Sequence, residues 1–143
     1  AAQRRRRAIE SLEQVGLDEL LSQLGRAVAG RSPVEVQLDV APVPVPADVK
    51  VALYRIAQEA LSNVVKHSGA QRVTVAVAAD GGTITLSVTD DGRGFAPTEI
   101  VPGHFGLGNM RERAASVGAR FTLESSPDAG TSICVQWPGE EQS

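Results

Sequence analysis

The stretch "QRVTVAVAADGGTITLSVTD", residues 71–90, decides the fold because it encodes two neighbouring strands and the turn between them. Apolar side chains occupy every second position on both sides of the turn, as in β-strands that bury one face. The Asp-Gly-Gly sequence at residues 80–82 suits a tight turn. The stretch therefore predicts two antiparallel, adjacent strands.

Upstream of this hairpin, the pattern predicts a helix, a strand and a second helix. Leucine and valine residues recur at helical spacing over residues 17–28 until Gly30 intervenes. The alternating "VEVQLDV", residues 34–40, predicts a strand, and a proline-rich connection follows it. The second helix begins near residues 46–48 and ends near Gly69. Its apolar seam consists of Val49, Leu53, Ile56, Ala60 and Val64.

Downstream of the hairpin, "LGNMRERAASVG", residues 107–118, predicts a third helix, and "RFTLESS" and "TSICVQWP" predict a second hairpin around "PDAG". The order α-β-α-β-β-α-β-β does not alternate as a doubly wound fold does, and each helix has one apolar stripe to bury. The predicted fold class is therefore α+β. We expect a two-layer α/β sandwich with a mixed, mostly antiparallel sheet of about five strands and helices on one face.

Composition limits the class of protein. At 143 residues with 42% hydrophobic residues, the chain has the size of one domain with one core. The basic run at residues 4–7 is the one feature that favours a nucleic-acid module. The net charge of -3 and the aromatic content of 3% argue against it. The single cysteine, Cys134, excludes an intramolecular disulfide and is expected to be a buried thiol in a strand of a cytoplasmic protein. No apolar segment reaches the roughly 20 residues of a membrane span, although the full-length protein can still be anchored to the inner membrane.

The second predicted helix carries a polar stripe. Glu59, Asn63 and His67 recur at four-residue steps in "QEALSNVVKHSGA", residues 58–70, so their side chains share one helix face. This face is displaced from the apolar seam by about 100° or less, which places it at the margin of the core. Either a solvated surface or a cleft satisfies this pattern.

The segment "TDDGRGF", residues 89–95, directly follows a predicted strand. Asp90 can hold a carboxylate at the strand end, and Gly92 and Gly94 allow a ligand to approach the backbone closely. An ordinary Asp-Gly turn has the same sequence. The segment alone therefore leaves both interpretations open.

The segment "GHFGLGNM", residues 103–110, places Gly106 and Gly108 at the start of the third helix. Exposed amides at a helix N-terminus suit a phosphate group, but a flexible loop before an ordinary helix fits as well. The glycine pattern is neither a P-loop nor the dinucleotide-binding fingerprint. A metal site made of His67 and His104 has no further ligands at recognisable spacing.

Taken together, the segments "LYRIAQEALSNVVKHSGA", "VTDDGRGF", "GHFGLGNMRERA" and "SSPDAGTSICVQWP" resemble the successive nucleotide-binding boxes of one family. This is the ATP-binding domain of two-component sensor histidine kinases, of the GHKL or Bergerat-type ATPase superfamily, and in particular its nitrate-sensor-like subfamily. The resemblance extends over residues 16–138. It implies the Bergerat-type α/β sandwich, with ATP and Mg²⁺ as cofactors.

The resemblance also implies roles for residues at the base end of a nucleotide. Asp90 would accept a hydrogen bond from the adenine amino group, and Thr131 would hold the accompanying water. Gly92 and Gly94 would shape the adjoining loop.

At the phosphate end, the resemblance implies that Asn63 coordinates Mg²⁺ and that Lys66 and His67 contact phosphate oxygens. Glu59 would be the catalytic residue that orients or polarises the nucleophile. The terminal phosphates would be bound by backbone amides of a short segment: Gly106, Leu107 and Gly108.

The resemblance implies a division of the chain. Residues 1–15 would be the end of the upstream dimerisation and phosphoacceptor helix, residues 16–138 the catalytic domain and residues 139–143 a tail, with residues 96–105 as a mobile ATP lid. No histidine precedes His67, so the acceptor histidine would lie on a dimerisation domain outside this chain. The fragment would be a monomer with little autophosphorylation. The full-length protein would be a homodimer that passes its phosphoryl group to a response regulator.

Two other functions fit the same boxes. A serine-protein kinase of the anti-sigma-factor type shares them, although the lid and the arginine-rich helix argue against it. A non-catalytic nucleotide-binding interaction module is the other alternative, and the presence of both Glu59 and Asn63 argues against it.

Overall fold

The computed structural model describes residues 15–96 and 106–139. The expectations for residues 1–14, for residues 97–105 of the predicted lid and for residues 140–143 of the tail lie outside the described residues.

The described part of the chain contains three α-helices and five strands in the order predicted from the sequence. They are α1 (Leu17–Arg31), β1 (Glu35–Val40), α2 (Ala47–Asn63), β2 (Arg72–Asp80), β3 (Thr83–Asp90), α3 (Leu107–Ser116), β4 (Arg120–Ser125) and β5 (Thr131–Trp137). Among these residues, the helices are all too short or too polar to cross a membrane.

The five strands form one sheet in the order β1-β2-β3-β5-β4. β1 pairs with β2 in parallel, and the other neighbours are antiparallel. Both predicted hairpins are present, and in the first the two linking glycines, Gly81 and Gly82, have φ angles of 58° and 87°. Positive φ at both turn residues matches the twist of the flanking strands, which explains why glycines occupy them.

One face of the sheet is buried and the other is not. Val77, Leu86 and Val135 form a cross-strand row on the buried face and are at most 2% exposed. Cys134 lies on the opposite face and is half-buried. The expectation of a buried thiol was therefore wrong, because the helices do not cover this face of the sheet. Burying such aliphatic side chains contributes about 1.5–3 kcal/mol each.

The helices cover the buried face of the sheet. The predicted seam of α2 is at most 4% exposed along its whole length, from Val49 to Val64. In α1, Gly25 lies against Leu38 of β1, where a Cβ atom would be 3.0 Å from a leucine methyl group. The predicted two-layer α/β sandwich, mixed and mostly antiparallel, is therefore confirmed.

The end of α2 differs from a regular α-helix. Residues Val64–Ser68 form a π-helical turn, which ends at Gly69 with a φ angle of 63°. The Ser68 hydroxyl donates to the Val64 carbonyl at 2.7 Å and accepts the Ala70 amide at 3.0 Å. A π turn changes the angular spacing of side chains, so the four-residue step from Asn63 to His67 is not an α-helical step. Such turns are frequent at functional sites.

Candidate active site

A cavity of about 300 Å³ lies between the C-terminal end of α2, the π turn, the central strands and the start of α3. Its apolar lining includes Val88 and Ile133, which are paired across β3 and β5. Leu107 at the start of α3 adds to this lining. The cavity is therefore an extension of the domain core with one polar wall.

Seven of the residues predicted for the site line this cavity. They are Asn63, Lys66, His67, Asp90, Gly94, Leu107 and Thr131. Asn63 is half-buried, and Lys66 and His67 are exposed. The end of α2 thus contributes the amide and the π turn the ammonium and the imidazole, while Asp90 and Thr131 lie on the sheet.

Asp90 ends β3 and is 9% exposed. Burial raises the pKa of its carboxyl group; amides of Gly92 and Thr131 oppose this rise, and the charge of Asp91 adds to it. The Gly92 amide donates to Oδ1 of Asp90 at 2.8 Å. The carboxyl group is therefore held at a defined place in an apolar surrounding, where it can accept a hydrogen bond from a ligand.

The neighbouring Asp91 has a different place. Its Oδ1 accepts the amides of Gln71 and Arg72 at 2.9 and 3.0 Å. The pKa of the Asp91 carboxyl group is lowered. The hydrogen bond from the Arg72 amide is the largest cause, and other backbone hydrogen bonds and the Arg72 charge act in the same direction. Asp91 is exposed and supports the start of β2, so of the two adjacent aspartates only Asp90 lines the cavity.

Gly92 and Gly94 are required by close packing of the loop that follows β3. A Cβ atom on Gly92 would lie 2.7 Å from the Cβ atom of Ser68. Gly94 has a φ angle of 61°, and a Cβ atom at this position would overlap the Ser126 carbonyl oxygen. The loop is fixed between the π turn and the β4–β5 turn, because the Arg93 amide also donates to the Ser68 carbonyl at 2.8 Å. Gly92 supports the cavity without lining it.

Glu59, Gly106 and Gly108 do not line the cavity either. The Glu59 carboxyl group is packed against Gly106, where a Cβ atom would lie 2.7 Å from the Glu59 carboxyl carbon. Gly106 is the N-cap of α3 and has a φ angle of 65°. Gly108 is exposed in the first turn of α3. The predicted stripe is therefore divided: Asn63 and His67 line the cavity, and Glu59 contacts the start of α3.

The described residues include no group of three or more histidine, cysteine, aspartate or glutamate side chains that could hold a metal ion. Mg²⁺ is often bound by only one or two protein ligands, with phosphates and water completing its coordination. Asn63 offers one such ligand. The pairing of His67 with His104, which the sequence disfavours as a metal site, lies outside the described residues.

Sequence reasoning missed several residues at the cavity. Ser68, Arg93 and Phe95 line it, and Ser125 supports it by accepting the Phe95 amide at 2.9 Å. Both Arg93 and Phe95 belong to the "TDDGRGF" segment, so their closeness to Asp90 in the sequence could have identified them as cavity residues. Nothing in the local sequence marks Ser125, because its contact with Phe95 joins residues 30 apart in the chain.

The chain is similar in sequence and in fold to known proteins. Residues 48–141 match the family described as histidine kinase-, DNA gyrase B- and HSP90-like ATPases. The chain is 38% identical over 123 residues to the sensor protein VraS of Staphylococcus haemolyticus, covering 86% of this chain and 34% of that protein. It is 35% identical over 128 residues to the sensor histidine kinase LiaS of Bacillus subtilis, covering 90% of this chain and 36% of that protein. The chain thus spans about a third of the length of these curated relatives.

Solved structures show the same fold. The blue-light activated histidine kinase of Erythrobacter litoralis EL346 superposes with a TM-score of 0.77 at 21% identity, covering 90% of this chain and 43% of that one. The ATP-binding domain of PrrB from Mycobacterium tuberculosis superposes with a TM-score of 0.68 at 26% identity, covering 89% of this chain and 96% of that one. The chain therefore belongs to the family of histidine kinase-, DNA gyrase B- and HSP90-like ATPases, as its sequence motifs indicated.

Proposed function

We propose that residues 16–138 are the Mg-ATP-binding catalytic domain of a sensor histidine kinase, which donates the γ-phosphoryl group of ATP to a histidine on a separate dimerisation domain. The observation that carries the proposal is the cavity, whose mostly apolar lining includes one buried carboxyl group together with an amide, an ammonium and an imidazole. Its volume of about 300 Å³ lies within the usual range for small-molecule sites.

Asp90 and Thr131 form the base end of the proposed site. Adenine is flat and largely apolar, and the lining by Val88, Leu107 and Ile133 suits its faces. Its exocyclic amino group donates to the Asp90 carboxylate. A base without that donor leaves one acceptor position of this buried carboxylate unfilled, which costs about 1–3 kcal/mol of binding free energy.

The π turn and α3 form the phosphate end. Lys66 and His67 line the cavity and would contact phosphate oxygens by charge-assisted hydrogen bonds. The amides of residues 106–108 lie at the N-terminus of α3, where the helix dipole favours an anion. These groups neutralise the charge that develops on the transferred phosphoryl group.

Asn63 is the residue that would hold Mg²⁺. A bound Mg²⁺ would supply positive charge that offsets the charge of the phosphate oxygens during transfer. The side-chain amide lies at the junction of α2 and the π turn, so its position relative to Lys66 and His67 is set by the backbone of one continuous helical segment.

Glu59 is proposed to orient and polarise the acceptor histidine. In the transfer, a P–N bond forms to the imidazole while the bond between the γ-phosphorus and the β-phosphate oxygen breaks, and ADP leaves. The imidazole must lose a proton, and a carboxylate near the start of α3 can accept a hydrogen bond from it.

Residues 1–15 would belong to the last helix of the dimerisation domain. A response regulator would receive the phosphoryl group from the phosphorylated histidine of that domain inside the cell.

The experiment is phosphorylation of the full-length homodimer with γ-labelled ATP. We expect an acid-labile, base-stable phosphohistidine, which Glu59→Gln abolishes while ATP binding by the 143-residue chain persists. An exposed control, Glu35→Gln on β1, keeps the label. An acid-stable phosphoserine on another protein would favour the serine-kinase alternative, and ATP binding without any transfer would favour the interaction module.

A further inference from the structure

Ser125, the last residue of β4, contacts three polar groups with one hydroxyl. The Phe95 amide donates to it at 2.9 Å, and the hydroxyl donates to the Gly130 carbonyl at 3.0 Å. The Thr131 hydroxyl oxygen lies 2.9 Å from it. These contacts join the loop after β3 to the start of β5 at the base end of the cavity.

The direction of the bond between the two hydroxyls follows from the other two contacts. A serine hydroxyl has one proton to donate and two lone pairs. An amide only donates and a carbonyl only accepts, so the Ser125 proton goes to Gly130 and one lone pair takes the Phe95 amide. The second lone pair then takes the Thr131 proton. The reverse direction would withdraw the Ser125 proton from the carbonyl of Gly130, a buried residue.

The consequence concerns what Thr131 offers to a ligand. Its single proton is directed to Ser125, so the remaining lone pairs make it an acceptor towards the cavity that it lines. Asp90 is its direct partner across β3 and β5, and an ionised carboxylate is also only an acceptor. The two side chains at this end of the cavity therefore both require donors.

We infer that Ser125 is a positioning residue for base selectivity: by holding Thr131 as an acceptor, it makes the site favour a 6-amino purine nucleotide over a 6-oxo purine nucleotide. This inference rests on the proposed function. A 6-amino group, or a water molecule that donates beside it, satisfies both acceptors. A 6-oxo group places a third acceptor against them and is disfavoured.

The test compares ATP with inosine triphosphate, whose base has a 6-oxo group, by titrating the 143-residue chain with each nucleotide. In the wild type, inosine triphosphate binds more weakly. In Ser125→Ala, the Thr131 proton is free to turn towards the cavity and pair with the oxo group. The ratio of the two dissociation constants is therefore expected to fall about fivefold, the effect of one hydrogen bond.

Several variants separate positioning from a general structural role. Ser125→Cys keeps the side-chain size with a weak donor and acceptor, so it lowers the ratio even where Ser125→Ala does not fold. Ser126→Ala, an exposed neighbour, leaves the ratio unchanged. In a Thr131→Val background, Ser125→Ala no longer alters the ratio, because the hydroxyl through which it acts is absent.

Three results overturn the inference. The first is a ratio unchanged in both Ser125 variants, even if both nucleotides bind more weakly, because Ser125 then only supports the fold. The second is a wild type that binds both nucleotides equally. The third is a wild type that binds neither, which contradicts the proposed function as well and is thereby distinguishable from the other two.

Discussion

The Asp128 amide donates a 2.6 Å hydrogen bond to the Arg93 carbonyl, which joins the β4–β5 turn to the loop that carries Gly92 and Gly94. Asp128 has a φ angle of 63°, in the left-handed region that residues other than glycine rarely adopt. The contact between the two loops thus depends on an aspartate in an unfavourable backbone conformation.

The stability of variants at Asp128 should therefore depend on how readily the new residue adopts a positive φ angle. Asp128→Gly is expected to be at least as stable as the wild type, and Asp128→Val less stable by about 1–2 kcal/mol, because a β-branched residue is disfavoured in the left-handed region. Denaturant unfolding measures both. Ala129→Val in the same turn is the matched control, and an equal loss in Ala129→Val would show that the backbone conformation is not the cause.

Adjacent aspartates should have opposite effects on the pH dependence of stability without nucleotide. The folded-state pKa of Asp90 is raised above 3.8, so its contribution is fully present below that pH and is lost as pH rises through the folded pKa. The pKa of Asp91 is lowered, so its contribution is present above 3.8 and is lost as pH falls through the folded pKa.

Unfolding free energies of Asp90→Asn and Asp91→Asn between about pH 2 and pH 7 check this prediction. Relative to Asp90→Asn, the wild type should lose stability as pH rises. Relative to Asp91→Asn, the wild type should gain stability as pH rises. Parallel curves for the two variants would show that the environments of the two carboxyl groups do not differ in this way.

A methyl group should be tolerated at one glycine and not at another. Gly92→Ala is expected to destabilise the chain by about 1–3 kcal/mol, because the new Cβ atom overlaps Ser68 and the backbone cannot shift freely. Gly30→Ala is the control, since nothing lies within 4 Å of its Cβ position in α1. The control should stabilise by about 0.5–1 kcal/mol through helix propensity. Equal effects in thermal unfolding would contradict the packing of the loop against the π turn.

Removing a positive charge at the phosphate end should weaken ATP binding without changing the binding of the base. Lys66→Ala is expected to weaken ATP binding about fivefold at low salt, since an exposed ion pair contributes at most about 1 kcal/mol. Adenosine binding should not change. Arg120→Ala, which removes an exposed charge from β4, is the matched control for the effect of net charge. Equal loss of ATP and adenosine affinity would place Lys66 outside the phosphate end.

The sheet and both hairpins could be predicted because their signal is local. Alternation in residues 71–90 fixes which side chains face the helices, and the turn glycines favour the required φ angles. The placement of Asp90 and Thr131 in the cavity could also be anticipated, since both lie within recognisable motifs. Their proposed roles remain predictions.

The remaining features depend on tertiary packing. The π turn has the same residue types as an α-helix, so the sequence did not reveal that the step from Asn63 to His67 changes its angle. Glu59 and Asn63 keep their α-helical spacing within α2, but Glu59 contacts Gly106 instead of lining the cavity. Ser125 could not be identified either, because its contact with the Phe95 amide joins residues 30 apart in sequence.

The most direct test of the central claim is calorimetric titration of the 143-residue chain with ATP, with and without Mg²⁺. The wild type and Asp39→Asn, an exposed control on β1, are expected to bind ATP. Asp90→Asn should lose adenine-nucleotide binding, and Asn63→Ala should lose mainly the Mg²⁺ dependence. Absence of ATP binding by the wild type at millimolar concentration, or wild-type affinity in Asp90→Asn, would contradict the claim that this cavity is a Mg-ATP site.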